Sequence, residues 1–249
     1  MRSRGETLDA PEPGVEAALL WTALGQDRRD RVLDVGCGSG RLRPALEDLA
    51  TEYVGVDIDA RLLRATRDAA GTGAGRSLVA ADAHHLPFCD ASFSAVVLIR
   101  VYHRLSDPSA ALGEVARVLR AGGTLVVAVV PRSSGALFLH GLWTALRPPG
   151  RRPWVTLSRG PRVEGVSGDH RGFVESIQRT RSRLVDAGFD VIRELGSGYE
   201  EFPMLRNLPS GVWIRLGETI RAPSLFPSVL VVAVRRARES TTGTPSISP

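Results

Sequence analysis

Between Arg31 and Gly40 the chain reads R-V-L-D-V-G-C-G-S-G. An apolar run ends in an acid and gives way to three glycines, each separated by one residue. The stretch predicts a strand, a tight turn and the start of a helix. Glycines let backbone approach a ligand closely, and a helix N-terminus aims unpaired N–H groups at whatever sits there. This turn is a site for a polar ligand, and the rest of the chain must say which.

The elements around it repeat a rhythm. Strands are expected at Arg31–Val35, Tyr53–Val56, Leu78–Ala80, Phe93–Ile99 and Thr124–Val130. Helices are expected at Val15–Leu24, Leu42–Leu49, Ala60–Ala70 and Pro108–Leu119, with Pro44 in a first turn and Asp59 as an N-cap. The strands are near-continuous Val, Leu and Ile, as when both faces of a sheet are covered. Alternation of this kind predicts a parallel, doubly wound α/β sheet. A helix at Val174–Ala187 and strands at Phe189–Glu194 and Ser228–Arg235 resume the pattern, with Glu201–Gly217 irregular.

A chain of 249 residues with 43% hydrophobic content supports one core. One domain is expected over 15–236, with flexible tails at 1–14 and 237–249. Pro131–Arg171 breaks the rhythm as a lid-like basic insertion holding one apolar helix, Ala136–Leu146. The net charge is +5, all basic residues are arginine, and this insertion carries seven of them against Glu164 and Asp169. A basic patch suits nucleic acid, a membrane surface or an anionic substrate, and arginine-only usage also reads as composition bias. Only Cys37 and Cys89 are present, without a C-x-x-C pair. That argues against a disulfide scaffold or zinc site and suits a reducing cytoplasm. No leader peptide is evident, and no apolar run approaches the roughly 20 residues of a membrane span.

Ligands in such sheets sit at the carboxyl ends of the strands. Here those ends carry Asp34 with Gly36, Cys37, Gly38 and Gly40; then Asp57, 21 residues past Gly36; then Asp82; then Ile99-Arg100-Val101-Tyr102-His103. A carboxylate about 20 residues past the glycines suits a ribose diol, in NAD and S-adenosylmethionine alike. A dinucleotide turn reads G-x-G-x-x-G; this one reads G-x-G-x-G, with Arg41 in the sixth place. Asp34 ahead of the glycines disfavours a diphosphate and suits a zwitterion.

L-D-V-G-C-G-S-G, V-G-V-D-I-D, A-D-A-H-H-L-P-F, F-S-A-V-V-L-I and L-R-A-G-G-T-L, in that order, resemble the motifs of class I S-adenosylmethionine-dependent methyltransferases. The resemblance is closer to the ubiquinone/menaquinone-biosynthesis branch of small-molecule methylases, and covers residues 30–130 motif by motif. It implies a Rossmann-like, mostly parallel seven-stranded sheet with helices on both faces and an antiparallel last strand. It also implies roles. Gly36, Cys37, Gly38 and Gly40 would run beneath the cofactor, with Asp34 orienting its methionine end. Asp57 would hold the ribose hydroxyls and Ile58 would pack on adenine. Asp82 would accept from the adenine amine, with Ala83 N–H on a ring nitrogen. The Ile99 or Arg100 backbone would hold the methionine ammonium, and S-adenosyl-L-homocysteine would be the product.

Tyr102 and His103 are the candidate catalytic residues, His103 as a general base or as packing at the cofactor mouth. Where that branch often reads H-H-L-x-D-P this chain reads H-R-L-S-D-P, with Arg104 in the second histidine's place. His84-His85 reads as a loop pair, and no metal site is expected. His140, His170, Trp154, Trp213 and the apolar residues Leu137, Phe138, Leu142 and Trp143 are further acceptor-side candidates. The expected reaction is methyl transfer to a small apolar or amphipathic acceptor. Alternatives are an RNA methyltransferase using the basic insertion, a non-catalytic cofactor-binding subunit, and an NAD-dependent dehydrogenase. The oligomeric state is open.

Overall fold

The computed structural model describes residues 15–25, 27–69, 78–131, 162–164, 171–173, 175–197, 212, 215, 226 and 228–237. Its elements in chain order are α1 (Val15–Leu24), β1 (Arg29–Val35), α2 (Arg43–Leu49), β2 (Ala50–Asp57), α3 (Ala60–Ala69), β3 (Leu78–Ala80) and β4 (Phe93–Leu98). A 3-10 turn (Tyr102–Arg104), α4 (Pro108–Val118), β5 (Leu119–Val129), β6 (Arg162–Glu164), β7 (Arg171–Phe173), α5 (Ile177–Asp186), β8 (Phe189–Ser197) and β9 (Ser228–Arg235) follow. The expected tails, the helix at Ala136–Leu146, and nearly all of the insertion and of Glu201–Gly217 lie outside the described residues.

Seven strands form one sheet in the order β3-β2-β1-β4-β5-β9-β8. β9 pairs antiparallel with both neighbours, and the remaining pairings are parallel. β6 and β7 form a separate antiparallel pair that the sequence pattern does not announce. Successive strand side chains face opposite sides, so an all-apolar strand needs cover on both. Val32 joins one core cluster with Leu19, Leu20 and Leu24 of α1, Leu46 of α2 and Leu63 of α3. Leu33 and Val35 join the other, with Leu112 and Val115 of α4 and Leu184 of α5.

Four strands run longer than the sequence suggests: β1 and β2 begin earlier, and β5 and β8 run on through glycines. β5 begins at Leu119, which pairs with Phe93 before the register jumps to Ala95 opposite Thr124. The A-G-G turn is a bulge inside this strand, with Gly122 at φ 72. β8 continues past Glu194 to Ser197, because Gly196 leaves room for the Phe226 ring, 2.3 Å from where a Cβ would stand. Among the described residues no helix is long and apolar enough to cross a membrane.

β2 and β3 lie on one side of β1, and β4 and β5 on the other. The order of connection reverses between β1 and β4, and this opens a crevice at their carboxyl ends. Pro131, just past β5, pairs with Glu175, just before α5. The start of the basic segment and the residue four past its end therefore lie side by side near the carboxyl end of β5.

Candidate functional site

The turn after β1 is built by hydrogen bonds to β2. Gly36 N and Cys37 N both donate to Val56 O, at 2.6 and 2.9 Å, and Gly38 N donates to Asp57 Oδ2 at 2.8 Å. Gly36, Gly38 and Gly40 all have positive φ, at 74, 54 and 74°. A Cβ at Gly36 would fall 2.1 Å from Val101 Cγ2, and one at Gly40 would fall 2.8 Å from Thr66 Cγ2 of α3. Both glycines are required by close neighbours as well as by conformation. At Gly38 a Cβ would meet only Asp57 Oδ2, at 3.9 Å, so it would occupy the open space above the turn.

Asp57 Oδ1 accepts from Asp59 N at 2.9 Å, so each carboxylate oxygen holds one backbone N–H and keeps lone pairs for a ligand. Ile58, beside it, is 75% exposed. Asp59 accepts from Arg61 N at the start of α3, as expected of an N-cap. One strand further out, Asp82 Oδ1 accepts from His84 N at 3.0 Å, and Ala83 lies half-buried beside it.

Asp34 is buried below the turn and accepts a hydrogen bond from the Tyr53 hydroxyl at 3.2 Å. Burial pushes its carboxyl up to about 7, against the lowering by Tyr53; the nearby Asp57 adds to the rise. The Cys37 thiol is pushed up to about 12, chiefly by burial and then by Asp34, so it stays protonated and inert. Gly55 makes room for this group: a Cβ there would strike Leu78, Tyr53 and Cys37.

Beyond β4, Ile99 is buried and Arg100 adopts φ 62, a strained conformation for a side chain of this kind. It turns the chain so that Val101 fills the space beside Gly36. Tyr102 is buried, and its hydroxyl donates to Glu175 Oε1 at 2.7 Å; Thr180 Oγ1 and Arg183 Nε donate to the same carboxylate. His103 is half-buried, and its Nδ1 is buried without a hydrogen bond. Its pKa falls to about 4 through burial, with Arg104 and Arg100 adding to the effect, so the ring is neutral at ordinary pH.

A family profile described as "Methyltransferase domain" matches residues 33–127. The demethylmenaquinone methyltransferase of Thermus thermophilus is 33% identical over 174 residues, covering 66% of this chain and 76% of that protein. The chain belongs to the class I S-adenosylmethionine-dependent methyltransferases. This methyltransferase is also 35% identical to the malonyl-[acyl-carrier protein] O-methyltransferase of Pseudescherichia vulneris over 131 residues, about half of each chain. A solved S-adenosylmethionine-dependent methyltransferase from Mesorhizobium loti shares the fold, at TM-score 0.62 and 22% identity over 89% of this chain and 98% of that one.

S-adenosylmethionine is accordingly the cofactor of this methyltransferase. The residues fit it. The turn leaves open space at Gly38, Asp57 offers acceptors beside that space, and the exposed Ile58 is available to an aromatic face. The dinucleotide alternative is set aside.

The sequence reading missed the residues that hold this methyltransferase's site in place. Tyr53 on Asp34, Val101 against Gly36 and Glu175 under Tyr102 leave no periodic trace. Arg117 is another. Its guanidinium donates to the carbonyls of Leu86 and Phe88, to Asp90 and to Glu114, and Glu114 in turn accepts from Leu86 N. That knot fastens the L-P-F-C-D loop that follows Asp82.

Proposed function

We propose that this methyltransferase moves the methyl group of S-adenosylmethionine to a small apolar or amphipathic acceptor at the crevice between β1 and β4. The observation that carries the proposal is the carboxylate of Asp57, held by the Gly38 and Asp59 N–H groups beside the glycine turn. Its neighbours Asp34 and Asp82 close the two adjacent strands, so three acceptors line one edge of the sheet. We assign Asp57 to the ribose hydroxyls, Ile58 to the adenine face, and Asp82 with the Ala83 N–H to the adenine edge. Asp34, Gly36, Cys37, Gly38, Gly40 and the backbone at Ile99 and Arg100 serve the methionine end.

When bound, the cofactor supplies a methyl group on a positively charged sulfur, a leaving group that needs no acid. The protein's task is then to align the reactants and exclude water. His103 is the group for the acceptor. Its neutral ring, with Nδ1 engaged by no described residue, suits it to accept a hydrogen bond from an acceptor hydroxyl, while its lowered pKa opposes full proton transfer to the ring. Tyr102 serves through packing, since its hydroxyl is committed to Glu175.

Relatives named for demethylmenaquinone and for malonyl-acyl carrier protein support an acceptor of quinol or carboxylate character over RNA. The arginines of the 131–171 segment, which begins beside Glu175 just past β5, would suit a negatively charged acceptor. The domain is proposed to span 15–236, in a reducing cytoplasmic setting where Cys37 and Cys89 stay free thiols.

Isothermal titration with S-adenosylmethionine and with NAD tests the cofactor site; tighter binding of NAD by the folded protein would overturn it. Transfer of labelled methyl to a demethylated quinol or a malonyl thioester tests the acceptor class. Transfer to RNA alone, weakening steeply with salt, would replace that class. His103→Gln is expected to lower kcat/KM for the acceptor while the cofactor Kd holds.

A further inference from the structure

His84 and His85 follow Asp82 and look alike in sequence, but the fold separates them. His85 is exposed, whereas the His84 side chain is 15% exposed and engaged at both ring nitrogens. Nδ1 lies 2.5 Å from Asp82 Oδ1. Nε2 lies 3.2 Å from the backbone nitrogen of Asp107 and 3.4 Å from Ser106 Oγ. A backbone N–H can only donate, so Nε2 carries the lone pair and Nδ1 the proton that goes to Asp82.

Asp82 Oδ1 thus takes two hydrogen bonds from one residue, the second from the His84 backbone N–H at 3.0 Å. Oδ2 takes none from the described residues. The Asp82 carboxyl is held below the usual range, first by that backbone N–H and also by the ring. At its other end the ring rests on a rigid element. Asp107 is the N-cap of α4, and its side chain accepts from Ser109 N and Ala110 N. Asp107 also closes the loop that begins at Tyr102 and His103.

We propose that His84 is a positioning residue for purine selectivity: anchored on the cap of α4, it saturates Asp82 Oδ1 and leaves Oδ2 to accept from the adenine exocyclic amine. The inference rests on the assignment of Asp82 to adenine made above. A carboxylate free to rotate can swing away from a base that carries a carbonyl in place of that amine. One held on a brace cannot, and the wrong base then turns its carbonyl oxygen toward a carboxylate oxygen, acceptor against acceptor.

The test compares S-adenosylhomocysteine with S-inosylhomocysteine, in which a carbonyl replaces the amine. Both affinities are measured by isothermal titration on the full chain, beside thermal unfolding. His84→Asn places an amide nitrogen near the Nδ1 position and keeps the donor to Asp82. His84→Gln reaches the Nε2 position, keeps an acceptor for Asp107 N–H and loses the donor to Asp82. The wild type is expected to prefer the adenosyl ligand, His84→Asn, which keeps the donor to Asp82 but loses the link to Asp107, to keep part of that preference, and His84→Gln to lose about tenfold of it. An unchanged ratio in folded His84→Gln, or an equal loss in His84→Asn, would overturn the brace. A wild type that binds S-adenosylhomocysteine without discriminating against the inosyl ligand would overturn the Asp82 assignment instead, and the brace with it.

Discussion

The Gly38 N–H donates to Asp57 Oδ2 at 2.8 Å, so the turn after the first strand is fastened to the carboxylate that ends the second. One side chain both shapes the glycine turn and offers the acceptors beside it. Neither job can be removed without touching the other.

Asp57→Ala is therefore expected to weaken S-adenosylmethionine binding by about 100-fold and to cost about 1–3 kcal/mol of stability. Titration calorimetry and urea unfolding measure the two. Asp57→Asn should fall between, because an amide rotated to accept from Gly38 must turn its NH2 toward Asp59 N.

Two glycines separate strain from space. Gly36→Ala must hold φ 74 and displace Val101, so it should destabilise by about 2–4 kcal/mol. Gly113 lies inside α4 with nothing within 4 Å of an added Cβ. Gly113→Ala should stabilise by about 0.5–1 kcal/mol. Urea midpoints at constant m-value decide both signs.

Two groups, one buried and one half-buried, pull stability in opposite directions with pH. Asp34 moves from an ordinary 3.8 to about 7, so the folded chain holds its proton after the unfolded chain has lost it. Its stabilisation is whole below about 4 and is lost as pH rises through about 7. Asp34→Asn should gain on the wild type across that interval. His103 moves from 6.5 to about 4; its contribution is whole above 6.5 and is lost as pH falls through about 4. His103→Gln should gain on the wild type as pH falls. Unfolding free energies at several pH values read both. Binding of a cationic cofactor should also release a proton from Asp34 below about pH 7, measurable in buffers of different ionisation enthalpy.

Tyr102→Phe removes a donor from Glu175, a carboxylate that is 8% exposed. A loss of about 1–3 kcal/mol is expected, with kcat per folded molecule unchanged. A fall in kcat at full folding would make Tyr102 catalytic and overturn the packing role given to it.

The strand–helix order, the glycine turn and the three strand-end acids were legible because each is a local pattern. Apolar runs demand cover, positive φ selects glycine, and an acid at a strand's carboxyl end has one place to go in a doubly wound sheet. β5 and β8 were read short because a glycine inside a strand looks like a stop. Only the packing of Phe226 on Gly196 and the bulge at Gly122 show otherwise.

By itself the sequence determined the family, the cofactor and the acids that end the first three strands. Tertiary structure decided which side chains serve those acids. Tyr53 donates to Asp34 from 19 residues away, His84 joins Asp82 to Asp107 across 23, and Tyr102 meets Glu175 across 73. Such contacts follow no period along the chain; they exist only once separate strands are laid side by side. The physical reason is burial: a polar group taken out of water must find a partner, and only the closed fold determines which one is within reach.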